Sequence, residues 1–282
     1  MKTTLRDFYR AQRGNFDAFL FDVDGTLSLA GKPLPGAQET LDLLKRENFP
    51  YLILTNDSSM SCEEKAFHQR RHGLQVAPEE ILSSGNALEN WAAKFYRGEL
   101  FFQCGSLGDP DYAANARINV TFDLDRLDEC SGVLLGEGNY EWHSAIEGLF
   151  NYFLHHADAP LIVPNPDGFW PWKNFCGIGS GGIARFLELL LKEAGKKLQL
   201  LYLGKPYAPI YEAVPDRLKQ LYPHRSFQMK RIAGIGDHLL SDICGANCNG
   251  LVSVLLLTGL TSEKQAREAQ GESAPRFVLD SL

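Results

Sequence analysis

No stretch of this 282-residue chain is apolar for long enough to cross a bilayer. The longest such runs, Leu251 to Leu257 among them, fall far short of the roughly 20 residues a spanning helix needs. No basic run exceeds two residues (Arg70-Arg71, Lys196-Lys197), and 28 Lys+Arg face 35 Asp+Glu, for a formal net charge of −7. Nucleic-acid binding draws on clustered cations that neutralise phosphates, so no nucleic-acid partner is expected, and no membrane partner either. A phosphorylated small molecule stays open, because a local site can be positive inside an acidic protein. Paired CxxC motifs are missing too: of Cys62, Cys104, Cys130, Cys176, Cys244 and Cys248, only the last two lie close together. That excludes a zinc knuckle and leaves buried free thiols, with Cys244 and Cys248 facing the core from one helix. There is no internal repeat and no low-complexity tract. Lys2, Arg6, Arg10 and Arg13 stand near the start without an apolar signal core, while Leu5, Phe8 and Tyr9 share one face of a short helix. The expectation is a soluble cytoplasmic protein.

What is present is ordinary globular composition, 44% hydrophobic and 22% charged, long enough for roughly two domains. Phe16 to Phe21 is a nearly continuous apolar run that ends in DVDGTL, where Gly25 lets the chain turn sharply. A helical stretch after Pro35-Gly36 leads to a second buried run, Tyr51 to Leu54, which ends at TNDSS. Two apolar strands joined by a helix, each followed by a polar cluster, make the first half of a parallel α/β sheet. Residues 61 to 72 read as the next crossover helix. The rhythm returns with an amphipathic helix from Ile183 to Ala194, a strand over 198–203 delivering Gly204-Lys205-Pro206, and helices over 209–220 and 262–270. A strand over 231–235 leads to Gly236-Asp237, and Leu251 to Leu257 gives one more. The middle has weaker strands punctuated by GSLGDPD, GEGN and NPDGFWPW. The expected organisation is a Rossmann-like parallel α/β core formed by residues 1–83 and 198–282, with an α/β domain inserted at residues 84–197.

Four strand ends then carry polar residues: Asp22 and Asp24, Thr55, Lys205, and Asp237 with Asp242. Carboxyl ends of parallel strands are where open α/β folds place their sites. In a strand, side chains at i and i+2 share a face, so Asp22 and Asp24 are expected in one pocket. Together these ends offer a nucleophile, an acid/base, a hydroxyl, an ammonium and extra carboxylates, an inventory suited to phosphoryl transfer. Crowded carboxylates repel and call for a cation, and hard oxygen ligands with a phosphate favour Mg²⁺ over zinc. Each residue alone has a plainer reading: Thr55 and Asp237 as helix caps, Lys205 as a solvated lysine, and DxDG as an ordinary turn. A calcium loop is disfavoured, because no glutamate follows at the required spacing.

The run FLFDVDGTL at 19–27 resembles the first motif of the haloacid-dehalogenase-like hydrolase superfamily. The likeness continues with LTN at 54–56, GKP at 204–206 and GDHLLSDICGAN at 236–247. TNDSS, ILSSGNA at 81–87, NPDG at 165–168 and Thr258-Gly259 are similar to segments of its class IIA branch, which includes sugar-phosphate, nucleotide, phosphoglycolate and pyridoxal-phosphate phosphatases. The resemblance implies a Mg²⁺-dependent phosphatase of small phosphorylated metabolites. In it Asp22 would attack phosphorus to form an aspartyl-phosphate, and Asp24 would serve as acid and then base. Thr55 and the Asn56 backbone N–H would hold the phosphoryl oxygens, and Lys205 would neutralise charge. Mg²⁺ would be held by Asp22, the Asp24 carbonyl and Asp237, while Asp242 would orient Lys205 or a metal-bound water. A phosphotransferase of the same fold, or a catalytically silent binding or scaffolding protein, is the alternative; the second is disfavoured because every chemical residue is present.

The insertion resembles the class IIA α/β cap, which implies a lid over the site and a homodimer formed through the cap. Asn165 or Asp167 would touch substrate, or else the NPDG loop is a capped turn. The aromatic segment Phe169–Phe175 would meet a planar leaving group, the cap core or a dimer partner. Glu137 stands in the GEGN turn where the family's cap usually has an aspartate.

Overall fold

In a computed structural model, which describes residues 3–138, 140–172 and 175–282, the apolar run Ala18–Phe21 is a fully buried strand in the middle of a six-stranded sheet. Lys2, Asn139 of the GEGN turn and residues 173–174 of the aromatic segment lie outside the described residues. The sheet runs Phe277–Leu279, Val252–Leu256, Ile232–Gly236, Ala18–Phe21, Tyr51–Thr55, Ile81–Ser83. Ala18–Phe21 pairs in parallel with Ile232–Gly236 on one side and Tyr51–Thr55 on the other. It therefore flanks the point where the strand order reverses, which is where parallel sheets open a crevice at their carboxyl ends. Such strands are covered on both faces, which is why they read as unbroken apolar runs and not as alternating ones.

One face is covered by the helix Leu5–Gln12, whose Leu5, Phe8 and Tyr9 are buried as its spacing predicts. Phe19 sits at the centre of that packing, edge to face with Tyr9, Phe16 and Phe49 at 4.9 to 6.0 Å between ring centres. Helix Ala37–Arg46 adds buried Leu41 and Leu44, and helix Cys62–Arg71 forms the expected crossover. The helix expected over 209–220 is two, Ala208–Glu212 and Val214–Leu221. Each has a proline in its first turn, where the missing N–H costs nothing.

The contacts divide the chain into one unit of Met1–Thr55, Cys62–Leu82 and Lys205–Leu282, and another of Asn56–Ser61 and Ser83–Gly204. The second unit has its own five-stranded sheet, in the order Gln199–Tyr202, Pro160–Val163, Gly132–Leu135, Leu100–Cys104, Asn119–Thr121, every pairing parallel. Its core includes Val133, Leu135, Leu149, Leu161, Val163, Leu187 and Leu191. The fold is thus a Rossmann-like parallel core with an inserted α/β domain.

Two sequence expectations are corrected. The strand expected over 198–203 in the core pairs instead with Pro160–Val163 in the second sheet, as an edge strand in which only Tyr202 is buried. A hydrophobic run announces a strand but not its partner. Cys244 and Cys248 do not face the core: Cys244 is half-buried, Cys248 is exposed, and the short helix buries Gly245 and Ala246 instead. Their sulfurs lie 3.8 Å apart and all six cysteines are free. Among the described residues no helix is long and apolar enough to cross a membrane.

Candidate active site

The central strand ends at Phe21, and Asp22 follows at once, its backbone N–H donating to the Ile235 carbonyl at 2.9 Å. The chain then turns back through Gly25, whose φ of +82° suits glycine, while the Leu27 and Ser28 N–H groups donate to the Val23 carbonyl. A side chain on Gly25 would also collide with the Asp237 carboxylate, and so would one on Gly259. The neighbouring strand Ile232–Gly236 delivers Asp237, only 2% exposed. Leu260 donates its N–H to Asp237 Oδ2 at 2.6 Å, and Thr258 Oγ1 donates to the Gly25 carbonyl at 2.5 Å. The turn 258–260 thus seats the aspartate.

Lys205 lies buried between two carboxylates, donating to Asp22 Oδ1 at 2.5 Å and to Asp242 Oδ1 at 2.6 Å. Asp242 Oδ2 accepts from the His238 N–H at 3.1 Å, so both of its oxygens are engaged. Gly236 is required here, since a side chain would overlap Asp242. Asp22, Asp237 and Asp242 each bring an oxygen within 4.8 Å of the others. Thr55, the last residue of its strand, is buried, as is Asn56. Asp24 is exposed and its carboxylate lies outside the acidic cluster, because the strand stops before Asp22 and the alternation of faces stops with it.

Three carboxylates and one ammonium leave this buried cluster short of positive charge. Burial pushes Asp22 well above the usual carboxylate range; Lys205 pulls against this, and the charges of Asp242 and Asp237 reinforce it. Burial and then Asp242 raise Asp237 to about 7. Burial works against the Lys205 ammonium, but Asp22 and Asp242 outweigh it and hold its pKa well above the ordinary lysine value. An all-oxygen donor set with excess negative charge fits a hard divalent cation.

Of the residues expected in the second unit, Asn165 is 7% exposed and has both polar atoms in internal bonds. Its Nδ2 donates to Glu137 Oε1 at 2.7 Å, and its Oδ1 accepts from the Asp167 N–H at 2.9 Å. Asp167 Oδ1 accepts from Asn56 Nδ2 at 3.1 Å. In the aromatic hairpin Phe169–Trp172 and Phe175–Ile178, Phe169, Trp170 and Phe175 are exposed, which sets the cap core aside for those three rings. Sequence reading missed Gly236 and Leu260 as parts of the site; the GD and TGL motifs were the available signals.

Residues 19–119 match the family model of haloacid dehalogenase-like hydrolases, and residues 202–282 match a second model, of HAD-hydrolase-like proteins. A 4-nitrophenylphosphatase of Schizosaccharomyces pombe is 26% identical over 97% of this chain and 94% of its own length. A crystal structure described as a possible sugar phosphatase, from Cytophaga hutchinsonii, superposes with a TM-score of 0.81 at 25% identity, covering 97% and 96% of the two chains. The glycerol phosphate phosphatase of Mycobacterium tuberculosis in complex with magnesium gives 0.77 at 24% identity, covering 100% of this chain and 78% of that one. Strand order, the aspartate after the central strand and these matches together place the chain in the haloacid-dehalogenase-like hydrolase superfamily. Within it, the chain belongs to class IIA, the sugar-phosphatase- and 4-nitrophenylphosphatase-like branch.

Proposed function

We propose that this protein is a Mg²⁺-dependent phosphatase of small phosphorylated metabolites, a sugar phosphate or a related monoester. The observation that carries the reading is the buried Lys205 bridging Asp22 and Asp242 beside Asp237. A free Asp22 oxygen attacks phosphorus as the bond from phosphorus to the ester oxygen breaks, and Asp24 gives its proton to the leaving alcohol. Water then adds to the aspartyl-phosphate, Asp24 takes its proton, and phosphate departs. Asp24 lies exposed, where an entering ester and water can reach it. Thr55 and the Asn56 N–H hold the phosphoryl oxygens, and Lys205 offsets the charge that builds up on them. Asp22, Asp237 and the Asp24 carbonyl would hold Mg²⁺, which when bound neutralises phosphate charge. Asp242 keeps Lys205 in place. The names of the relatives support phosphate monoesters as the substrate class.

The test is phosphate release from a panel of metabolite monoesters, in Mg²⁺ and then in EDTA. Turnover in Mg²⁺ that EDTA abolishes supports the reading. Folded protein that releases phosphate from none of them contradicts it and leaves a binding protein.

A further inference from the structure

A continuous line of hydrogen bonds runs through the inserted unit to the residue after Thr55. Helix Ser180–Glu193 begins without a side-chain cap of its own. The Glu137 carboxylate supplies one from elsewhere in the chain, accepting from Ser180 Oγ at 2.7 Å and from the Ser180 N–H at 3.3 Å. A carboxylate suits a helix start, where unpaired N–H groups point outward. The same Glu137 accepts from Asn165 Nδ2 at 2.7 Å, Asn165 Oδ1 accepts from the Asp167 N–H at 2.9 Å, and Asp167 Oδ1 accepts from Asn56 Nδ2 at 3.1 Å. Asn56 is gripped at its other end by Ser84 Oγ, which donates to its carbonyl at 2.7 Å.

The packing around this line leaves little slack. Asn56 and Asn165 are 4% and 7% exposed. Arg185 Nη2 holds the Pro166 carbonyl at 2.8 Å. A side chain on Gly204 would come within 2.5 Å of Asn56 Oδ1 and 2.6 Å of Pro166 Cδ. Gly204 directly precedes Lys205, as Asn56 directly follows Thr55. The loop 164–168 is therefore packed against the two chain positions that adjoin the phosphate-handling residues.

We propose that Asp167 is a positioning residue: it fixes Asn56, whose N–H holds the phosphoryl group, and Glu137 fixes Asp167 through Asn165. This rests on the phosphatase reading above. It differs from a direct substrate contact by Asp167 in what it makes of different esters. The phosphoryl group is common to every ester and the leaving group is not. A loosened Asn56 lowers turnover of all esters by one factor, whereas a lost leaving-group contact changes their ranking.

The experiment compares Asp167→Ala and Asp167→Asn across the ester panel, with hydrogen exchange read at residues 54–58. Asp167→Ala is expected to lower kcat/KM by about tenfold or more for every ester alike and to speed exchange at those amides. Asp167→Asn keeps an acceptor for Asn56 and is expected to recover kcat/KM to within about threefold of wild type. A changed ranking of esters, or an Asn variant as impaired as the Ala one, overturns the proposal. If Asp167→Ala does not fold, the Asn variant alone decides by the same criteria. If the wild-type chain hydrolyses no ester, the phosphatase reading has failed, and exchange still decides whether Asp167 fixes Asn56: unchanged exchange in the folded Ala variant overturns that too.

Discussion

Lys205 donates a 2.5 Å hydrogen bond to Asp22 across 183 positions of sequence, and both side chains are largely shielded from water. A pair of this kind is costly to break from one side, because the remaining charge is left buried and unmatched. In this cluster Lys205 is matched against two carboxylates, so its loss is the more serious one.

Lys205→Met is therefore expected to destabilise the metal-free protein by about 3–5 kcal/mol and to lower kcat at least about a thousandfold. Urea unfolding in EDTA reads the first quantity. A loss well under 1 kcal/mol would show that the ammonium does not hold the carboxylates together.

Asp22→Asn acts in the opposite sense on stability. Burial and the neighbouring Asp242 and Asp237 already disfavour its charge, and Lys205 keeps Asp242 as a partner. Turnover should fall at least about a thousandfold while the metal-free Tm stays level or rises. Calorimetry of the two proteins in EDTA checks it; a clear fall in Tm contradicts the electrostatic account.

Gly259→Ala places a methyl group against the Asp237 carboxylate and 2.8 Å from Gly25 Cα. The Mg²⁺ concentration for half-maximal activity should rise about tenfold or more. Gly271→Ala is the control: its φ of +58° makes alanine strained, yet nothing lies within 4 Å of the added carbon. That variant should lose about 1 kcal/mol of stability and no Mg²⁺ affinity. Equal Mg²⁺ titrations for the two variants would count against a metal role for Asp237.

Asp237 gives a pH dependence. Its pKa in the folded, metal-free chain is raised to about 7, against about 3.9 for an unperturbed aspartate. Folding thus favours the protonated form. The stability this contributes is complete below about pH 4 and is lost as pH rises through about 7. A cation held by Asp237 must displace that proton, so the Tm increment from Mg²⁺ should be larger at pH 8 than at pH 5.5. Thermal scans with Mg²⁺ or EDTA at both values test it, and an increment that shrinks with pH contradicts it.

The core was legible because its physics is local. Ala18–Phe21 and Tyr51–Thr55 are buried on both faces and so appear as unbroken apolar runs, and Gly25 marks the turn that follows. The aspartate and threonine motifs could be read at the ends of such runs, whereas the lysine follows a half-exposed edge strand and was legible only through its GKP motif. Long-range pairing had no such signature. Gln199–Tyr202 joins Pro160–Val163 and not the core, and Glu137 meets Asn165 and Ser180 from 28 and 43 positions away. Nothing in GEGN announces a half-buried carboxylate whose pKa burial raises against the hydrogen bonds of Ser180 and Asn165. Likewise, the i and i+2 spacing of Asp22 and Asp24 could not tell that the strand ends at Phe21 and that Asp24 stands exposed beyond it.

The central claim is that Asp22 carries the phosphoryl group during turnover. Single-turnover quenching with Mg²⁺ and a cleaved ester, followed by acid digestion and mass spectrometry of the peptide containing Asp22, tests it directly. The account predicts one phosphoryl group on that peptide, absent in Asp22→Asn and in EDTA. Phosphate release that proceeds with no such adduct, or with the adduct on another residue, would contradict it.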